Sequence, residues 1–257
     1  MWAKEIPTLV RYENAIHVRG DYIAVGGIDG RVYVLNRNGD LRWRYTTDGY
    51  VIAVRVLEDR IIAASDQQVY SINLNGTLRR NFDLNNYVQA AYISDEYVAT
   101  GLGDGTIYFF DTRGTPIWSY STGSQIGVVH VNGADVLVGL KNNNLYYFLS
   151  NGTIVWVEDL NSSVISAISA GNNIAAGTLD NTVFLFNKRG YLRWDYKMKD
   201  RPVELHLNEK YLYAGSADGK VYGFILPKQD VRQTAFVATV MLIVVITAAI
   251  LLMRSWR

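Results

Sequence analysis

Between Asp104 and Tyr120 the chain reads D-G-T-I-Y-F-F-D-T-R-G-T-P-I-W-S-Y: an Asp-Gly turn, an alternating apolar run, a Gly turn, and a second run ending in Trp118 and Tyr120. Alternation with a period of two argues for half-buried strands, and the Gly pairs supply the tight turns between them, so the stretch predicts a β-hairpin. The pattern recurs along the chain. Its first residue falls on Asp29, Asp66, Asp104, Asn142, Asp180 and Asp218, with gaps of 37, 38, 38, 38 and 38 residues. Self-similarity at that period marks a repeat protein.

Other columns keep the same register. Four positions past each anchor stand Tyr33, Tyr70, Tyr108, Tyr146, Phe184 and Tyr222, and three before it stand Gly26, Ala63, Gly101, Gly139, Gly177 and Gly215. Gly39, Gly76, Gly114, Gly152 and Gly190 follow the anchors, and four residues beyond them come Trp43, Arg80, Trp118, Trp156 and Trp194. Arg80 alone breaks the tryptophan column.

Each unit resolves into four short runs, the strand number of a propeller blade. In the third they are Val88–Ile93, Glu96–Gly101, Thr106–Asp111 and Pro116–Tyr120. No helical pattern within 1–227 is long enough for a βαβ unit, which argues against a parallel α/β fold. The sixth unit lacks a fourth strand, because its glycine and tryptophan columns land on Lys228 and Arg232. At the other terminus, Trp2-Ala3-Lys4-Glu5 matches Trp194-Asp195-Tyr196-Lys197 in kind. Trp2 precedes Asp29 by 27 positions against 23 or 24 in the repeats, a surplus that one longer loop absorbs. The prediction is an all-β, six-bladed β-propeller over residues 1–227, closed by the N-terminal strand, which removes two open sheet edges.

The unit D-G-x-V-Y-x-L-N-x-x-G-x-x-x-W resembles the repeat of the quinoprotein (PQQ-like) β-propeller family, over nearly all of residues 1–226. The spacing from anchor to Gly is one residue shorter than is usual there. Dehydrogenases of that family carry eight blades, a calcium site and often an adjacent Cys pair under the quinone, whereas this chain has six units and no Cys. The resemblance therefore implies the non-enzymatic branch, membrane-associated propellers that act as assembly scaffolds, with no cofactor.

Composition adds little direction until the tail is reached. Lys and Arg number 25 against 24 acidic residues, so no net field favours nucleic acid or anionic lipid. Thr234–Met253 runs 20 residues without a charge, Gly or Pro. As a helix it is roughly 30 Å long, enough for a bilayer core, and it is expected to be a transmembrane helix. Residues 228–233 form a short polar linker and 254–257 a basic tail. Met1–Val10 has no signal-peptide pattern. Lys228 and Arg232 face Arg254 and Arg257 across the span in a near tie, and a cytoplasm-facing propeller is the expectation.

Candidate chemistry is sparse. No Ser/His/Asp arrangement, phosphate-binding Gly loop or basic aromatic patch stands out, so no catalytic residue is assigned. The anchor acids are spread around a propeller and read as turn formers, and the Trp and Tyr columns read as packing between blades. His17, His130 and His206 all lie 12 positions before an anchor, in a column shared with Val54, Tyr92 and Ile168 on the strand nearest the channel. They are candidate channel ligands for a metal or an anion, with a repeated packing position as the simpler reading. Arg79 and Arg80, where other units place an aromatic, are a candidate partner contact. Asn75-Gly-Thr77, Asn151-Gly-Thr153 and Asn161-Ser-Ser163 are sequons, the first two expected from hairpin turns alone.

The function these features predict is a non-catalytic, membrane-tethered propeller that binds other subunits of a membrane complex, with Thr234 to Met253 in the bilayer. The alternative is a small-ligand or metal sensor using the central channel.

Overall fold

A computed structural model describes residues 5–226 and 244–246. It contains six four-stranded antiparallel sheets. The first comprises Ile16–Arg19, Tyr22–Gly26, Arg31–Leu35 and Leu41–Thr46. The third comprises Val88–Ile93, Tyr97–Leu102, Thr106–Asp111 and Pro116–Ser121, within a residue of the runs expected from the sequence. Within each sheet the strands lie in chain order. The turn-forming glycines sit where the backbone demands them: Gly30, Gly105 and Gly219 take φ of +74°, +84° and +80°, and Asn143 and Asn181 take the same region in the fourth and fifth sheets.

Successive sheets meet through their first strands: Ile16–Arg19 touches Ala53–Val56, which touches Val88–Ile93, and so on through Ile126–Asn132, Val164–Ala170 and Pro202–Leu207. These are the inner strands. The hydrophobic core is correspondingly divided into seams. One cluster joins Ala24, Val32 and Val34 of the first sheet to Val54, Val56 and Ile61 of the second. Another joins Ala99, Ile107 and Phe109 of the third to Val129, Val131 and Val138 of the fourth. Each sheet thus offers one face forward and one backward along the chain.

The second sheet departs from the sequence alignment by one residue. Val32, Ile107, Leu145, Val183 and Val221 pair with Gly26, Gly101, Gly139, Gly177 and Gly215, but Val69 pairs with Ala64, not Ala63. The cause is a shorter turn. In the first and sixth sheets it is closed by Gly27 N–H to Arg31 O and Ser216 N–H to Lys220 O, whereas in the second Ser65 N–H already reaches Gln68 O. Upstream of that turn, register places Arg55, and not Val54, in line with His17, Tyr92 and His130.

The N-terminal segment keeps the register of the repeats as far back as it is described. Leu9 O accepts from Ile28 N–H just as Tyr87, Gln125, Ser163 and Arg201 accept from the matching residues of their sheets. Leu9 also follows Trp2 by the same interval that separates Gln125 from Trp118. The surplus before Asp29 is absorbed where a 3₁₀ turn, Glu13–Ala15, precedes the first inner strand. Trp2 itself lies outside the described residues.

One expectation is corrected. The fourth place in the sixth sheet is filled by Val244–Ile246, which pairs with Val221–Gly223. Three β-branched residues in succession suit an open sheet edge, and they satisfy backbone groups that would otherwise stay unpaired. That tripeptide lies inside the stretch expected to be a transmembrane helix, whose other residues are outside the described set. Among the described residues no helix is long and apolar enough to cross a membrane.

Exposure at the two ends of the array bears on the closed ring. Ile16 and Val18 on the backward face of the first sheet are 53% and 56% exposed, while their register equivalents in the other five sheets are buried. On the forward face of the sixth sheet Val221 is 37% exposed, where Val32, Val69, Ile107, Leu145 and Val183 are at most 3%. On the backward face of the first sheet Val25, Tyr33 and Leu35 are buried, so among the described residues that face is open only along its inner strand.

Candidate functional site

The row that lines the inner strands reads His17, Arg55, Tyr92, His130, Ile168 and His206. Its members touch neighbours in turn rather than a common centre. His17 Nδ1 accepts from Val56 N–H at 3.2 Å, and burial, aided by the Arg55 charge, holds its pKa below the usual value. The His130 ring lies 4.6 Å from that of Tyr92, and its Nε2 is buried with no hydrogen-bond partner. Burial pushes the His130 pKa from 6.5 down to about 4, against the pull of Asp135. His206 is exposed. Among the described residues no group of three or more His, Asp or Glu stands close enough to hold a metal ion.

Charge at the end of this row is already matched. Asp95 accepts from Arg55 Nε at 2.8 Å and Arg19 at 3.3 Å, and Arg19 also reaches Glu58 at 3.4 Å, which links the first three sheets. The Arg55 hydrogen bond, more than burial opposes it, keeps the Asp95 carboxyl below its ordinary range. Arg55 escaped the sequence reading because the short turn of the second sheet hid its column.

The anchor acids hold their own turns. Asp29 accepts from Tyr33 Oη at 2.6 Å, Asp104 from Thr106 N–H at 2.8 Å, and Asp218 from Tyr222 Oη at 3.2 Å. Asp48, outside the column, takes the hydroxyls of Ser65 and Tyr70, and burial, reinforced by Asp48, pushes Tyr70 up to about 12. A buried carboxylate that the sequence did not flag, Asp135, accepts from Tyr147 Oη at 2.6 Å and Lys188 Nζ at 2.8 Å.

The tryptophan column is a repeated joint between sheets. The indole N–H of Trp43, Trp118 and Trp156 donates to Leu74 O, Ser150 O and Lys188 O of the following sheet, at 2.8, 2.9 and 3.2 Å. Each ring lies over a positive-φ glycine, Gly76, Gly152 or Gly190, where a Cβ would meet it at 2.9 to 3.1 Å. Arg80 breaks the pattern. Only its Cδ lies near the Cβ position of Gly114, at 3.8 Å, while Arg79 turns to Asp59 at 2.9 Å.

Radially joined four-stranded sheets, with apolar seams and local turn acids, define a β-propeller repeat protein. The chain belongs to the PQQ_2 family, described as outer membrane protein assembly factor BamB, which matches residues 2–96 and 103–236. No curated protein matches it. Among solved structures it is similar to the computationally designed Ika8 protein, at 18% identity and a TM-score of 0.76, over 86% of this chain and 73% of that one. BamB from Moraxella catarrhalis is also similar, at 18% identity and a TM-score of 0.53, over 80% of this chain and 82% of that one. Both likenesses concern the fold.

Proposed function

We propose that the chain is a non-catalytic, membrane-tethered scaffold, a subunit that holds other proteins of a membrane assembly. The observation that carries this reading is exposed apolar surface at both ends of the array: Ile16 and Val18 on the inner strand of the first sheet, whose Val25, Tyr33 and Leu35 are buried, and Val221 and Ile225 on the sixth. The seams inside the array bury apolar side chains from both neighbours, and exposed apolar patches of the same make mark interaction surfaces. Family membership supports a protein partner. The partner supplies β-sheet that continues the array.

The tether is Thr234–Met253, whose uncharged length suits a bilayer. Pairing of Val244–Ile246 with the sixth sheet gives the middle of that stretch a second seat at the sheet edge. Neither flank sets the side of the membrane, since Lys228 and Arg232 balance Arg254 and Arg257. Protease protection of the sheets in sealed vesicles assigns it.

The scaffold reading is tested by purifying the full chain in mild detergent beside Val18→Asp and Ile225→Asp. A stoichiometric partner is expected with the parent chain and lost from both variants, with thermal midpoints unchanged because both side chains are more than half exposed. Variants that retain the partner, or that unfold because the faces are buried within the chain itself, would overturn it.

A further inference from the structure

We propose that the seam between the second and third sheets contains a binding slot for an indole side chain supplied by a partner polypeptide. The inference rests on the scaffold reading only in taking the occupant to be part of a protein. In the tryptophan joints two cross-strand partners fill the seam together: Val34 with Trp43, Phe109 with Trp118 and Tyr147 with Trp156. In the second sheet the same pair is Ser71 with Arg80. Both members have lost bulk, and between Ile62 and Ser71 on one side and Val98, Thr112 and Gly114 on the other lies a pocket that, with the Arg80 side chain in it, is no larger than a water molecule.

The far wall of the pocket still has the form that receives a tryptophan elsewhere. Gly114 keeps φ at +82°, as Gly76, Gly152 and Gly190 keep +88°, +86° and +86°. Thr112 O stands where Leu74 O, Ser150 O and Lys188 O accept indole N–H groups, and here it meets only a long contact of 3.4 Å from Arg60 Nη1. Inside the pocket the Ser71 hydroxyl is buried without a partner. The receiving half of the joint is intact and the inserting half is missing. An indole entering from outside would lie on Gly114, donate its N–H to Thr112 O, and displace the exposed Arg80 side chain into solvent. Its ring is the chemistry the chain itself places at three equivalent seams, and buried tryptophans are frequent anchors of protein interfaces. Arg80 and Asn81, neighbours on one strand, line the opening.

The test is titration of the full chain in detergent micelles with N-acetyltryptophanamide, following the backbone amides of Thr112 and Gly114 by NMR. Saturable shifts are expected in the parent chain. Arg80→Ala, which clears the mouth, should bind at least threefold more tightly. Arg80→Trp, which fills the slot from within, should bind at least tenfold more weakly and melt at a higher temperature. Absence of saturable shifts, equal affinity in Arg80→Ala, or unchanged binding in Arg80→Trp would overturn the proposal without touching the scaffold reading, since no partner is present. Self-association of the parent chain that Arg80→Trp abolishes would assign the slot to a tryptophan of a second copy, and overturn the partner assignment.

Discussion

Replacing His130 by Phe should remove most of one acid-dependent loss of stability. The imidazole is buried against Tyr92 with Nε2 unpaired, so protonation places a cation in an apolar seam that offers no acceptor to that nitrogen. Its folded-state pKa lies near 4 against 6.5 when free, so the unfolded chain takes up the proton first as pH falls. Stability from this group is therefore whole above about pH 7.5 and is lost as pH drops through 6.5 toward 4. The full difference is worth about 3 kcal/mol, of which about 2 kcal/mol is lost by pH 5. Phe keeps an aromatic ring on Tyr92 and carries no proton. Urea unfolding of the full chain at pH 7.5 and 5, followed by tryptophan fluorescence, should show the parent losing about 2 kcal/mol more than the variant. His17, whose pKa is also lowered, contributes equally to both and cancels in the comparison. Parallel pH profiles for the two proteins would refute the reasoning.

Other perturbations separate local geometry from bulk packing. Gly105→Ala combines φ of +84° with a Cβ 2.5 Å from the Ser124 backbone oxygen, and should cost about 3 kcal/mol or more by chemical denaturation. Gly20→Ala, at φ +57° with nothing within 4 Å, should cost only about 1 kcal/mol in the same assay. Trp118→Ala removes a ring 5.0 Å from Phe109 and 5.3 Å from Phe148, together with the hydrogen bond to Ser150 O. About 3 kcal/mol should be lost there, whereas Arg80→Ala in the same column should stay within about 0.5 kcal/mol in urea titrations.

Much of the architecture was legible because turn chemistry repeats with the sheets. Asp-Gly and Asn-Gly pairs mark places where the backbone needs positive φ, so strands of the third sheet such as Thr106–Asp111 fell where the periodicity put them. Register within the second sheet was not legible, since one deleted turn residue moves every upstream position and so exchanged Val54 for Arg55 in the inner row. The closing strand was not legible for a related reason. Counting strands says that a sixth sheet needs a fourth member, but not which segment supplies it, and Val244–Ile246 is as good an edge strand as any. Arg80 was visible as an exception, yet its meaning depends on Thr112 O and Gly114 in the next sheet, which proximity in sequence does not connect.

Because every large apolar cluster bridges two neighbours, cohesion in this molecule is a sum over adjacent pairs, with no common centre. Among the described residues an interior sheet is clasped from both sides, but the outermost two have one full clasp each, with Ile6 packed on Val25, Tyr33 and Leu35 of the first. Amide protons near Ile23 and Tyr213 should therefore exchange with solvent before those near Leu137, and unzipping should travel inward from the extremities.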